Sequence, residues 1–123
     1  MIRLLLVGAL LFLVACTTPD QGSGSAATSV YQAKLAYEAV LTGAVEYNKL
    51  PRCGRPTSPA LCSSQGAVEA MRKANLAARS ALDSAENTVR DPAVKGNTAQ
   101  LAVTAAGNAV DSFKEIVTLY KRN

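Results

Sequence analysis

The reactive side chains of this chain are three cysteines, Cys16, Cys53 and Cys62, and a scatter of carboxylates; histidine is absent. Proton transfer near neutral pH falls first to histidine, so an acid–base site here would have to be built from carboxylates. Glu38, Glu46, Glu69, Asp83, Glu86, Asp111 and Glu115 are spread along what read as polar helix faces. Asp83 and Glu86 lie three apart, but Arg79 and Arg90 stand four residues to either side. That is the spacing of surface ion pairs, each contributing about 0.2–0.5 kcal/mol. Ser63, Ser64 and the threonines have no base to activate them. A glycine-rich phosphate loop, a dinucleotide fingerprint and a calcium loop are missing from the sequence. The expectation is a protein that is not an enzyme, with no catalytic residues, metal site or cofactor. Cys53 and Cys62 enclose eight residues, whereas a redox pair usually reads Cys-x-x-Cys and a zinc site needs further ligands.

Cys16 closes a different kind of segment. Arg3 precedes an apolar run from Leu4 to Val14, which ends in the small residue Ala15. This run is well short of the roughly 20 residues a membrane-spanning helix needs. A basic start, an apolar stretch and a small-residue end make the layout of a secretory signal. The tetrad Leu13-Val14-Ala15-Cys16 resembles the lipobox of bacterial lipoproteins, with Cys16 in the invariant position. The resemblance implies a signal peptide over 1–15, cleavage before Cys16, and Cys16 as a lipid-modified N-terminus anchored in a membrane. Each buried methylene contributes about 0.8 kcal/mol, so two or more acyl chains hold stably. In that family an aspartate after the lipidated cysteine commonly keeps the protein at the inner membrane. Thr17 stands there and Asp20 lies further on, which implies the outer membrane, facing the periplasm. An ordinary secretory signal with a chance cysteine, or an uncleaved anchor, is the alternative, and both still export the chain.

With Cys16 assigned to lipid by that resemblance, Cys53 and Cys62 remain as a pair in an oxidising compartment. A structural disulfide is the expectation, closing a loop that bends through Pro56 and Pro59. A closed loop of about ten residues contributes roughly 2.5–3 kcal/mol in the chain-entropy model. The alternative is a two-thiol metal or redox site. Arg52 and Arg55 would project from this stiffened loop. Two guanidinium groups on a rigid loop suit the carboxylates or phosphates of a partner; arginines kept for solubility are the plainer account.

The elements that must position these groups follow from apolar spacing. Residues 16–27 read as the lipidated cysteine and a flexible tether rich in Gly, Ser, Thr and Pro. Residues 28–123 read as a helical bundle. The first helix, 29–50, opens on a capping box of Ser29 with Gln32 and carries the stripe Val30, Ala33, Tyr37, Val40, Ala44, Tyr47. The second, 64–90, carries Val68, Met71, Asn75, Ala78, Leu82, Ala85, Val89. The third, 97–121, is capped by Asn97 with Gln100 and carries Ala99, Val103, Ala106, Val110, Phe113, Val117, Tyr120. Steps of three and four place each set on one helix face. Pro51 ends the first helix and Asp91-Pro92 the second. Short links favour antiparallel neighbours, so the fold expected is all-α, an up-down-up three-helix bundle, with a long helical hairpin as the other possibility. Gly43 and Gly107, in alanine-rich surroundings, are read as marking a tight crossing of the first and third helices, or as exposed and tolerated. Asn75 is read either as a buried residue fixing register or as lying at the margin with Ala74 inside.

The chain carries 13 basic and nine acidic residues, net +4. The excess is small and evenly spread along the sequence, without the clustered stripe of a nucleic-acid binder. Three alanine-rich helices leave little interior room for a ligand of several hundred cubic ångströms, so neither nucleic acid nor a small-molecule substrate is expected. The stretch from Tyr47 to Cys62, with Leu50-Pro51-Arg52-Cys53-Gly54 and Pro59-Ala60-Leu61-Cys62, resembles small helical proteins of bacteriophage and prophage origin. That resemblance implies an outer-membrane lipoprotein subunit of a phage lysis or membrane-remodelling complex. Such subunits are often proline-rich with little helix, and this chain departs from that. The main expectation is a non-catalytic, lipid-anchored envelope protein whose bundle binds or scaffolds a protein partner, or self-associates.

Overall fold

The three apolar stripes become three helices: α1 (Ser23–Lys49), α2 (Gln65–Arg90) and α3 (Asn97–Lys121). They are seen in a computed structural model that describes residues 23–122. Each helix packs against the other two, α2 and α3 most extensively. Cross-helix contacts give the directions. Tyr37 meets Asn75 and Tyr47 meets Ser64, so α1 and α2 are antiparallel. Tyr37 also meets Phe113, and Gly43 faces Val117, so α1 and α3 run parallel. The fold is the up-down-up bundle.

The core follows the stripes closely. Met71, Ala78, Leu82 and Ala85 of α2 are buried against Val103, Ala106, Val110, Phe113 and Val117 of α3. Val30 and Tyr47 are buried on α1, with Ala33, Tyr37, Val40 and Ala44 partly so. Phe113 is the one large apolar side chain with no exposure among the described residues. It packs on the Tyr37 ring, with centroids 6.1 Å apart and planes tilted by 43°. Small residues dominate the rest: Ala67, Ala78, Ala85 and Ala106 are all essentially inaccessible. Short side chains at the contact let helix axes approach closely. Asn75 is half-buried, and so is Ala74; the Tyr37 hydroxyl donates to Asn75 Oδ1 at 2.7 Å. Asn75 thus sits at the margin of the seam, with its carbonyl satisfied from α1.

Three local expectations change. α1 begins at Ser23 and runs through Ser29, so the capping box is not formed and the tether is shorter than 16–27. The physical reason is Ala26, buried one turn before Val30, which extends the apolar face backwards. α3 is capped by Gly96, with Asn97 as its first helical residue. Gly96 has φ +66°, a region open to glycine and costly for other residues, and its carbonyl accepts from Gln100 N–H at 3.3 Å. The glycine crossing is half right. A Cβ on Gly43 would touch Val117 Cγ1 at 3.5 Å, whereas one on Gly107 would meet nothing within 4 Å. Gly107 is therefore the tolerated glycine, and only Gly43 faces the α1–α3 seam.

Both ends of α2 behave as their residues dictate. Ser64 is the N-cap, its hydroxyl accepting from Ala67 N–H at 3.2 Å. Asp91 ends the helix and its carboxylate accepts from Ala93 N–H at 2.9 Å, starting the turn to α3.

Candidate functional site

The connection between α1 and α2 is built as a clasp. Cys53 and Cys62 form a disulfide, with Cα atoms 5.1 Å apart. Beneath it the two strands of the loop are laced by backbone bonds: Cys53 N–H donates to the Ser63 carbonyl at 3.1 Å, and Ser63 N–H to the Pro51 carbonyl at 2.8 Å. Ser63 is fully buried, and its hydroxyl donates to the Leu50 carbonyl at 3.0 Å. Next to it, Ser64 N–H donates to the Tyr47 hydroxyl at 3.1 Å. The buried ring of Tyr47 therefore fixes the loop base to the bundle. Gly54 supplies the turn with φ +87°. Ser58 closes the far side: its hydroxyl donates to the Arg52 carbonyl at 3.0 Å and accepts from Arg55 N–H at 2.9 Å.

Arg52 and Arg55 stand on this frame. With Leu50, Pro51, Thr57, Ser58 and Pro59 they line one concavity of about 440 Å³. Arg52 Nη2 donates to Asn48 Oδ1 at 3.3 Å. Tyr47, Ser58 and Ser63 are the parts the sequence reading missed. Ser63, which sequence offers only as a possible nucleophile, is a buried structural bond-maker. Tyr47 was legible as an apolar position, but its hydroxyl role depends on the loop folding back over it.

Topology concentrates charge here. Because α1 and α3 are parallel, the C-terminal ends of both lie at the loop end. Lys49, Arg52, Arg55, Lys121 and Arg122 are all placed there, although they are dispersed along the sequence. Lys121 is near enough to Gly43 to lie 3.8 Å from a Cβ built there. The hydrogen bond from Lys49 holds the exposed Glu46 carboxyl below the ordinary carboxylate range; the charge of Lys49 and, more weakly, of Lys121 adds to this, while slight desolvation opposes it. The even spread of charge in the sequence is thus not what the fold presents.

Glu86 and Asp83, the two carboxylates three apart on α2, have separate surroundings. Glu86 accepts from Lys34 of α1 and from Arg90 of its own helix. Asp83 is exposed and makes no ion pair with Arg79 among the described residues, contrary to the spacing argument. Among the described residues no group of three or more Cys, Asp or Glu could hold a metal ion, and no helix is long and apolar enough to cross a membrane. Cys16 and residues 1–15 lie outside the described residues. Between α1 and α2 runs a second, apolar groove of about 170 Å³, lined by Leu41, Val45, Val68, Met71 and Phe113 among others.

No family model, no curated protein and no solved structure matches this chain.

Proposed function

We propose that this chain is a non-catalytic, lipid-anchored protein of the bacterial cell envelope, held through Cys16 in the outer membrane and facing the periplasm. Its helical bundle would serve as a binding module, with the Arg52–Arg55 loop as the contact for a protein partner. The observation that carries this reading is the tetrad Leu13-Val14-Ala15-Cys16 at the end of an apolar run. Two structural facts support it. A disulfide persists in an oxidising compartment such as the periplasm, and Cys53 is bonded to Cys62. The polarity of the bundle also suits a tethered module. α1 has 27 residues, about 40 Å of rise, and its N-terminal end is the one nearest Cys16 in sequence. The arginine loop stands at the opposite end of the bundle, and on this reading it is the end left for a partner.

The test is made on protein expressed in a bacterial host. Mass spectrometry of the mature N-terminus is expected to find Cys16 first and carrying acyl chains. Membrane fractionation is expected to place the protein with outer-membrane vesicles, and Cys16→Ser is expected to release it from them. Recovery of chain with Met1 present and Cys16 unmodified would end this reading. Cell lysis that requires the anchored form would move the protein to the class of lysis subunits.

A further inference from the structure

The loop concavity presents two cations without a counter-charge. Between Leu50 and Ser64 the sequence has no acidic residue. The Arg55 guanidinium makes no hydrogen bond or ion pair with any described residue, and that of Arg52 reaches only the neutral Asn48. Glu46, the nearest acid on α1 in sequence, is already held by Lys49. The backbone under both arginines is fixed by the disulfide, by the Cys53–Ser63–Pro51 bonds and by Ser58. Binding would therefore order only the two side chains, and pre-organisation of this kind removes much of the entropic cost of association. The rest of the lining is Leu50, Pro51 and Pro59, which offer aliphatic surface, with the polar Thr57 and Ser58.

We propose that this concavity binds an extended acidic segment of a partner protein. Arg52 and Arg55 each take a carboxylate, in the paired geometry that guanidinium and carboxylate share. Leu50 and the two prolines pack on the aliphatic carbons of the same segment. A recess of about 440 Å³ accepts a few residues of extended chain; a flat bilayer surface would need a projecting basic patch instead. The inference rests on the bundle being a partner-binding module, but not on lipid at Cys16.

The experiment uses the full chain in mild detergent micelles and a fluorescein-labelled hexaglutamate peptide, read by fluorescence anisotropy. Binding is expected for hexaglutamate and not for hexaglutamine. Arg52→Ala/Arg55→Ala is expected to weaken it about tenfold or more, with the helical circular dichroism unchanged. Arg52→Lys/Arg55→Lys is expected to recover part of the loss, because lysine keeps the charge but not the fork. Arg79→Ala/Lys95→Ala removes the same net charge elsewhere and is expected to leave binding intact. Three results overturn the proposal: no binding of hexaglutamate, equal binding by the Arg52→Ala/Arg55→Ala chain, or equal loss in the Arg79→Ala/Lys95→Ala chain. A fourth result, displacement of the peptide by phosphatidylglycerol-doped micelles at a lower concentration of anionic charge than by free hexaglutamate, would assign the site to lipid headgroups instead. None of these outcomes depends on the N-terminal modification, so a failure here is separable from failure of the anchoring reading.

Discussion

Glu86 sits between Lys34 on α1 and Arg90 one turn along α2, and it links two helices that otherwise share a thin seam. The hydrogen bond from Lys34 holds its carboxyl below the ordinary carboxylate range; partial burial pushes the other way, and the charges of Arg90 and Lys34 add to the lowering. A carboxyl whose folded-state pKa is depressed stabilises the fold above its unfolded value, and loses that contribution as pH falls through the folded value. Glu86→Gln is therefore expected to lower Tm at pH 7, with the gap to the parent chain closing as pH drops below about 4. A gap that is constant with pH would show the charge to be irrelevant. At Gly107 the opposite sign is expected. A Cβ meets nothing within 4 Å there, and alanine is favoured over glycine in a helix interior by about 1 kcal/mol. Gly107→Ala should raise Tm by a few degrees in a thermal melt, and a fall would reveal packing at that face.

At the scale of elements, the α1–α2 connection does more than join two helices. Its disulfide encloses a loop with a sequence separation of nine, and the chain-entropy model assigns such a closure roughly 2.5–3 kcal/mol. Cys53→Ser/Cys62→Ser is expected to lower the denaturant midpoint by a corresponding amount without changing helix content, measured by circular dichroism in guanidinium. Ser63 underlies the clasp. Removing its hydroxyl leaves the carbonyl of half-buried Leu50 short of a donor, a loss of about 1–3 kcal/mol, so Ser63→Ala should destabilise where most exposed serines would not. The helices themselves were readable beforehand because α-helical burial has a period of 3.6 residues, and every apolar position of the three stripes came out buried or half-buried. Their starts were less readable. Ser29 has the residue type of a cap, yet burial of Ala26 carries α1 past it, and a tertiary contact outweighs a local preference of this size.

For the molecule as a whole, Phe113 is the largest fully buried side chain of the described core, which is otherwise mostly alanine and valine with Met71, Leu82 and Tyr47. Truncating it leaves a cavity that small neighbours cannot fill, and Phe113→Ala is expected to cost about 3–5 kcal/mol, enough to unfold a domain of marginal stability. A small loss by chemical denaturation would mean that the helices collapse onto the gap. The bundle also has two distinct ends. One receives the chain from Cys16, and the other carries the clasped loop and the C-terminal turns of α1 and α3.

The number of helices, the face each one buries, the cysteine pair and the proline stops were all readable from the amino-acid order, because each is a property of residues within a few turns of one another. The same order also held the lipobox-like tetrad, which lies outside the described residues. Short links already implied the up-down-up order; the folded bundle settled which charges that order brings together. Lys49, Arg52 and Arg55 are separated from Lys121 and Arg122 by two helices in the chain, and they come to one end because α3 runs parallel to α1. Helix periodicity says which side of a helix faces inward; it does not say which residues of separate helices come level at one end of the bundle.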